Sequence, residues 1–162
     1  MATARTITSS WADPVALARA ADGRSGLDFL AAIADGTLPQ GPLFDVLGIR
    51  FAEIAPGRAV FECEVGEPHY NLIGSVHGGF AATLIDSATG CAVYSTLEPG
   101  DTWTTLNLRV DYIRPLHAAS GVVRCIGTLV RAGGRIGLAK AERGGARFEI
   151  VLPGFLASNA GI

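Results

Sequence analysis

No stretch of this 162-residue chain approaches the ~18 to 20 uninterrupted apolar residues that a membrane span requires. The opening residues, MATARTITSSWADP, lack the apolar core of a signal sequence, so a cytoplasmic location without membrane association is expected. Arginines are scattered rather than clustered, and the formal net charge is −2 with a pI near 5.9. The basic footprint of a nucleic-acid binder is therefore missing, and DNA and RNA are discounted as partners. Cysteine is sparse: Cys63, Cys91 and Cys125 are far apart, odd in number and set in apolar surroundings, which speaks for reduced core thiols. Neither a disulfide framework nor a zinc site is indicated. There is no internal repeat, no low-complexity region and no alternation of strand and helix of the kind that builds a parallel sheet. What is present, 49% hydrophobic and 17% charged residues, suits one compact domain with a full core.

The first ~40 residues read as peripheral helices. Asp13-Pro14 makes an N-cap and first-turn pair, with Gly23 ending that helix. Ser25 caps a second amphipathic run, Leu27, Phe29, Leu30 and Ile33, closed by Gly36. Pro39, Gly41 and Pro42 then form a linker, dividing a helical extension, residues 1–41, from a domain over 42–162. From Phe44 the pattern turns strand-like, and a Pro56-Gly57 turn joins it to the alternating run Arg58 to Val65 as a hairpin. An irregular loop follows, and from His77 a helix of four to five turns is expected to run until Gly100. Further strands are expected at Thr104–Ile113, Gly121–Arg131, Ile136–Glu142 and Ala146–Leu152. Strands outnumber helices, and one small-residue helix follows the first hairpin. The fold class expected is α+β, an antiparallel sheet wrapped around one central helix.

Between His77 and Leu97 the only strongly ionisable side chain is Asp86. Phe80, Leu84, Ile85, Ala88, Cys91 and Ala92 around it leave little solvated face at ~100° per residue. A carboxylate in such a helix loses hydration that only specific hydrogen bonds or protonation offset, so packing alone is a poor reason for its presence. A capping or surface Asp is the plainer alternative.

The run AsnLeuIleGlySerValHisGlyGlyPheAlaAlaThrLeuIleAspSerAlaThrGly at 71–90, followed by ThrThrLeuAsnLeuArgValAspTyrIleArgPro at 104–115, resembles the hotdog-fold acyl-CoA thioesterases of the phenylacetate-pathway and 4-hydroxybenzoyl-CoA type. The likeness covers roughly residues 42–142. It combines an Asn, a His-Gly-Gly, an acid nine residues after the His, and a strand ending in aromatic-x-Arg-Pro. The resemblance implies the hotdog fold and a homodimer at minimum, or a homotetramer built as a dimer of dimers. It further implies hydrolysis of a coenzyme A thioester, with an aryl or medium-chain acyl group, without metal or bound cofactor. By position, Asp86 matches the catalytic carboxylate, Asn71 and the Gly78 amide the groups that polarise and position the carbonyl, and Thr105, with Thr104 as fallback, the residue that orients water or steadies Asp86. His77 and Gly79 accompany them at the helix start as substrate-binding positions. Arg114 and the Gly134-Arg135 turn stand where related enzymes contact the nucleotide end, although a solvated strand-end charge explains Arg114 nearly as well. Gly90 departs from the pattern, since relatives often carry Ser or Thr one turn after the acid; Ser87 or Thr89 substitutes only if the helix bends. Trp103 falls near the expected acyl pocket.

Helical geometry adds constraints of its own. Nine residues at ~100° each set His77 and Asp86 on opposite faces, so they form no dyad, and His77 is better suited to fixing the loop and helix start. The glycines at the helix N-terminus offer free N–H groups and a positive dipole end to a carbonyl oxygen. Gly78 and Asp86 lie about 12 Å apart along the axis at 1.5 Å per residue, whereas base, water and carbonyl must meet within about 3 Å. A shared site, with the acid from a second copy whose helix lies antiparallel, follows as an expectation. The rivals are a non-catalytic acyl-CoA-binding module, a hotdog dehydratase or hydratase, and a structural dimerisation domain. Retention of Asp86 with Asn71 and Gly78 weighs against the first and third, and the absence of an Asp in the 71–77 loop against the second.

Overall fold

A computed structural model describes residues 4–133, 137–143, 146–150 and 155–156. Helices α1 (Pro14–Arg19) and α2 (Gly26–Ala34) begin where the caps place them. The Asp13 side chain accepts from the Val15 N–H, and Ser25 Oγ accepts from the Asp28 N–H at 3.1 Å. Gly23 and Gly36 follow with φ of +74° and +82°, values that suit glycine and end the turns.

A third helix, α3 (Pro42–Leu47), replaces the strand expected to start at Phe44. Its signals are local: Gly41 at the cap, Pro42 in the first turn, Asp45 near the N-terminus and Gly48 at φ +63° after the end. These outweigh the apolar alternation. Strand β1 (Ile49–Ala55) then pairs antiparallel with β2 (Arg58–Glu64) through the expected Pro56-Gly57 turn, where Gly57 takes φ +71°.

The long helix α4 (Gly78–Tyr94) crosses the sheet that β1 and β2 form with β4 (Val122–Ala132), β5 (Gly137–Arg143) and β6 (Ala146–Ile150). Strand order is β1-β2-β4-β5-β6, antiparallel throughout. The expected sheet around one central helix is therefore observed. The helix packs on β2, β4 and β5. Ala88 and Ala92 meet Ala59, Phe61, Ala139 and Ala141 in a fully buried layer. At the tightest point a Cβ on Gly127 would stand 2.0 Å from the Ala88 carbonyl oxygen, so the helix backbone rides directly on β4. The helix ends at Tyr94 rather than near Gly100, because Ser95 Oγ bonds back to the Ala92 carbonyl and accepts from the Gly57 N–H. The Leu97 carbonyl in turn accepts from Gly26 N–H of α2, so the N-terminal helices dock on the C-terminal end of α4.

The strand expected over 104–113 is a further departure. Only β3 (Thr102–Trp103) pairs, with β7 (Phe155–Leu156). Beyond it the chain stays extended in pattern, with Trp103 and Thr105 partly buried on one side and Leu108 and Val110 packed on the core after a phase break at Leu106 and Asn107. Among the described residues no ladder partner stands beside this stretch, and an alternating sequence forms a strand only where a neighbour accepts its backbone hydrogen bonds. On the sheet face away from α4, Glu53 and Glu62 bridge Arg50, Arg58 and Arg124 across three strands.

Adding a methyl at the tightest crossing tests this packing. Gly127→Ala is expected to cost about 1 to 3 kcal/mol of unfolding free energy through overpacking, read from urea denaturation. A midpoint equal to wild type would show that α4 does not rest on Gly127.

Candidate active site

The loop before α4 is built to present the helix N-terminus. His69 is held at both ring nitrogens: Nδ1 accepts from the Gly66 N–H at 3.1 Å and Nε2 lies 2.9 Å from the Leu47 carbonyl oxygen, to which it donates. Its ring lies against Phe80, with centroids 4.5 Å apart. The His69 carbonyl accepts from the His77 N–H at 2.7 Å, which sets the start of the helix. Asn71 closes the intervening turn. Its Oδ1 accepts from the Ile73 and Ser75 N–H groups at 3.0 and 3.2 Å, and its Nδ2 donates to Ser75 Oγ at 3.0 Å. The turn passes through Gly74 at φ +78° and leaves Leu72 and Ile73 fully exposed at its tip.

His77 is the N-cap of α4, where its Nδ1 accepts from the Gly79 N–H at 2.8 Å. A Cβ at Gly79 would stand 2.9 Å from that nitrogen, so the cap and the glycine require each other. The imidazole is thereby fixed in the tautomer with Nδ1 unprotonated. Phe80 N–H is bonded to the His77 carbonyl, and the helix start leaves the Gly78 N–H with no intrahelical acceptor. The carbonyl of Gly78 accepts a hydrogen bond from the Tyr112 hydroxyl at 3.0 Å. Tyr112 was not singled out from the sequence, although it is the aromatic of the aromatic-x-Arg-Pro pattern and its ring lies over the Cα of Gly78.

Beside Gly78 opens an apolar cavity of about 300 Å³, walled by Val76, Ala81, Leu84 and Ile85 on one side and by Ile113, Pro115, Leu116, Val123 and Cys125 on the other. Arg114, itself exposed, contributes the one charged side chain to the lining. Gly134 and Arg135 lie outside the described residues.

Asp86 sits eight residues further along α4, partly buried, and does not line this cavity. Its Oδ1 accepts from Thr105 Oγ1 at 2.7 Å, so Thr105, rather than the exposed Thr104, meets the carboxylate. Ser87 and Thr89 do not bond the Asp86 carboxylate: Ser87 Oγ donates to the Thr83 carbonyl at 2.8 Å, and Thr89 Oγ1 lies 2.8 Å from the Ile85 carbonyl oxygen and 3.1 Å from the Asp86 backbone carbonyl oxygen. The place of a hydroxyl one turn after the acid is taken by the Trp103 indole, whose Cη2 would lie 2.2 Å from a Cβ on Gly90. Within one chain the structure thus forms two clusters: Gly78 with Tyr112, Arg114 and the cavity, and Asp86 with Thr105. Asn71 and His77 shape the loop that carries the first. Among the described residues no group of three or more His, Cys, Asp or Glu side chains is arranged to hold a metal ion, and no helix is long and apolar enough to cross a membrane.

All three cysteines are buried thiols. Burial pushes Cys63 up to about 11 and Cys125, in the cavity wall, up to about 12. Cys91 is pushed up to about 12 by burial and then by the negative charge of Asp86. None is a poised nucleophile, since the thiolate is the reactive form.

The Thioesterase superfamily profile matches residues 73–142. A protein of Halobacterium salinarum, provisionally named an esterase, is 32% identical over 122 residues, covering 70% of this chain and 76% of its own length. The human acyl-coenzyme A thioesterase 13 is 35% identical over 79 residues, which cover 48% of this chain. The chain spans 56% of the length of that protein and of its orangutan counterpart. Among solved structures, a phenylacetic acid degradation protein PaaI mutant from Thermus thermophilus is 30% identical with a TM-score of 0.60, covering 71% of this chain and 97% of that one. A phenylacetic acid degradation-related protein from Ralstonia eutropha JMP134 superposes with a TM-score of 0.66 at 24% identity, covering 78% and 97%, and shows the shared fold. The chain belongs to the thioesterase superfamily and has its hotdog fold, with the long helix inside the sheet.

The raised thiols give a pH signature. Free thiols titrate near 9.0, so a folded chain that keeps them protonated gains stability that is complete below that pH and lost as pH rises through 9 toward 12. The urea midpoint is expected to decline on raising the pH above about 9, and less so after Cys91→Ala and Cys125→Ala. At about pH 8 the native chain should resist an aromatic disulfide reagent that labels all cysteines once urea is added. Fast native labelling would contradict the burial.

Proposed function

We propose that this chain hydrolyses acyl-coenzyme A thioesters, with Asp86 as the catalytic carboxylate, at a site completed by a second copy. The observation that carries the proposal is the 2.7 Å contact of Thr105 Oγ1 with Asp86 Oδ1 on the half-open face of an otherwise buried helix. One hydroxyl holds one carboxylate oxygen and leaves the other for water or substrate. Membership in the thioesterase superfamily and the acyl-coenzyme A thioesterase name of two relatives support the same chemistry.

In this mechanism the thioester carbonyl points at the Gly78 N–H, the unsatisfied donor at the positive end of α4. The Tyr112 hydroxyl on the Gly78 carbonyl holds that peptide in place. Asp86 takes a proton from water as the water oxygen attacks the carbonyl carbon; alternatively, its carboxylate attacks directly and forms an anhydride that water then opens. Either way the oxyanion develops on the thioester's carbonyl oxygen and accepts from the Gly78 N–H, a contribution of about 3 kcal/mol in comparable sites. Collapse of the adduct expels the coenzyme A thiolate, which takes up the proton held by Asp86 in the first route and the proton released when water opens the anhydride in the second. The apolar cavity of about 300 Å³ suits an aryl or medium-chain acyl group, with Arg114 at its edge toward the anionic end of coenzyme A.

Eight residues of helix separate Gly78 from Asp86, about 12 Å of rise, too far to act on one carbonyl. Two copies with α4 antiparallel would bring the Gly78 end of one to the Asp86 of the other, giving two sites per homodimer and four in a dimer of dimers. Ala82, Thr83, Asp86 and Ser87, only half-buried, form the side of α4 open to such a neighbour. Asn71 supports the site through the loop it closes. A cytoplasmic setting accords with a coenzyme A substrate and with reduced thiols.

Thiol release from a panel of aliphatic and aryl coenzyme A thioesters tests the activity. Asp86→Ala is expected to lower turnover by roughly a hundred- to ten-thousandfold with the fold intact. Absence of hydrolysis by wild type on every thioester, with binding retained, would promote a non-catalytic acyl-CoA-binding module instead. Sharing between copies is tested by mixing: Gly78→Pro removes the N–H at a helix position that tolerates proline. Denatured and refolded together, inactive Gly78→Pro and Asp86→Ala chains should regain about a quarter of wild-type activity through mixed dimers that keep one whole site. No regain would place both groups in one chain.

A further inference from the structure

We propose that Trp103, seated on Gly90, is a positioning residue that sets the register in which Thr105 meets Asp86; this rests on the assignment of Asp86 as the catalytic carboxylate.

Gly90 is a buried glycine inside a 17-residue helix, where glycine costs roughly 0.5 to 1 kcal/mol relative to alanine. It is not among the positive-φ glycines, so the backbone does not require it. The neighbour does. A Cβ at this position would lie 2.2 Å from Trp103 Cη2 and 2.4 Å from Cζ3, so the six-membered half of the indole rests directly on the helix.

The seat and the carboxylate contact share one spacing. Asp86 and Gly90 are one turn apart on α4, ~6 Å of rise. Trp103 and Thr105, both partly buried with exposed Thr104 between them, are two residues apart on an extended stretch, ~6.6 Å. The stretch is therefore attached to the helix at two matched points, indole on Gly90 and hydroxyl on Asp86. A slip of one residue turns Thr105 away, and it cannot occur while the indole keeps its seat. The ladder of β3 with β7 ends at Trp103, and over 104–113 no strand ladder among the described residues carries the register on, which leaves the step from Trp103 to Thr105 to side chains. The indole is itself backed: Tyr94 lies 6.1 Å from it between ring centroids, and Phe29 of α2 lies 6.0 Å from Tyr94. An aromatic row thus runs from the N-terminal extension to the seat. This explains why the chain forgoes a hydroxyl at position 90: the Asp86 partner comes from the neighbouring stretch, and the helix position is given to the residue that aims it.

The test compares Thr105→Val, Trp103→Leu, their double variant, Gly90→Ala and Gly90→Ala/Trp103→Phe as full chains, with folding checked by circular dichroism. Gly90→Ala and Trp103→Leu are each expected to lower kcat on a coenzyme A thioester roughly ten- to hundredfold, the scale of a lost hydrogen bond to a charged group, with KM little changed. Trp103→Phe, which shortens the ring, should restore most of the activity lost in Gly90→Ala. Adding Trp103→Leu to Thr105→Val should lose nothing further, because Trp103 acts through Thr105. Multiplying losses in that double variant, or a wild-type kcat in Gly90→Ala, would overturn the proposal. The ¹³C carboxyl resonance of Asp86 gives a readout independent of turnover: it should move in Trp103→Leu as it moves in Thr105→Val. If wild type hydrolyses no thioester, the enzymatic assignment fails, and this resonance alone decides the register role; no movement in Trp103→Leu would refute it.

Discussion

The backbone contact between α4 and β4 at Ala88 and Gly127 is the constraint on which the rest of the molecule depends. With no side chain between helix and strand, the helix sinks into the sheet, and alanines rather than leucines fill the layer around it. Burial at that depth removes water from every residue on the inner side of α4. Midway along the helix, the side carrying Ala82, Thr83, Asp86 and Ser87 keeps partial access. The one acid of the helix therefore emerges where a carboxylate can be hydrated on one flank and hydrogen-bonded by Thr105 on the other.

The helix's ends are equally constrained. At the start, His69, Asn71 and His77 each bond backbone groups of the loop or the first helical turn, and together they turn an irregular loop into a fixed platform. At the other end Ser95 ties the helix to the β1–β2 turn and Leu97 ties it to α2. An element clamped at both termini and seated along its length gives little latitude to the groups it carries, which is what a reaction sensitive to shifts of an ångström demands.

Much of this was legible in the sequence because its causes are local. Asp13, Ser25, Gly36 and the Pro56-Gly57 turn act through their immediate neighbours, so their consequences could be read one residue type at a time. The central helix and its lone Asp86 were legible for a related reason: an acid set among apolar residues at helical spacing is costly to keep unless it is solvated or bonded at a definite place. Two elements were misread. At Phe44 a weak alternation competed with Pro42 and Gly48, and the caps decided the outcome. Over 104–113 the alternation is genuine, but a strand needs a neighbour, and no property of the segment itself supplies one. Tyr112 and the seat of Trp103 were beyond reach for a further reason: each joins residues far apart in the chain through a close approach that leaves no periodic trace. Gly90 was noticed as a departure, yet its meaning lay in the ring that fills its space.

That pairing also bears on how such a chain can change over generations. Any side chain at position 90 collides with the indole, while a smaller residue at position 103 leaves only a gap. Substitutions at the two positions are therefore ordered: the ring must shrink before the glycine can be replaced. A lineage carrying this pair stands on a ridge from which a return to a hydroxyl on the helix requires passing first through a loosened intermediate.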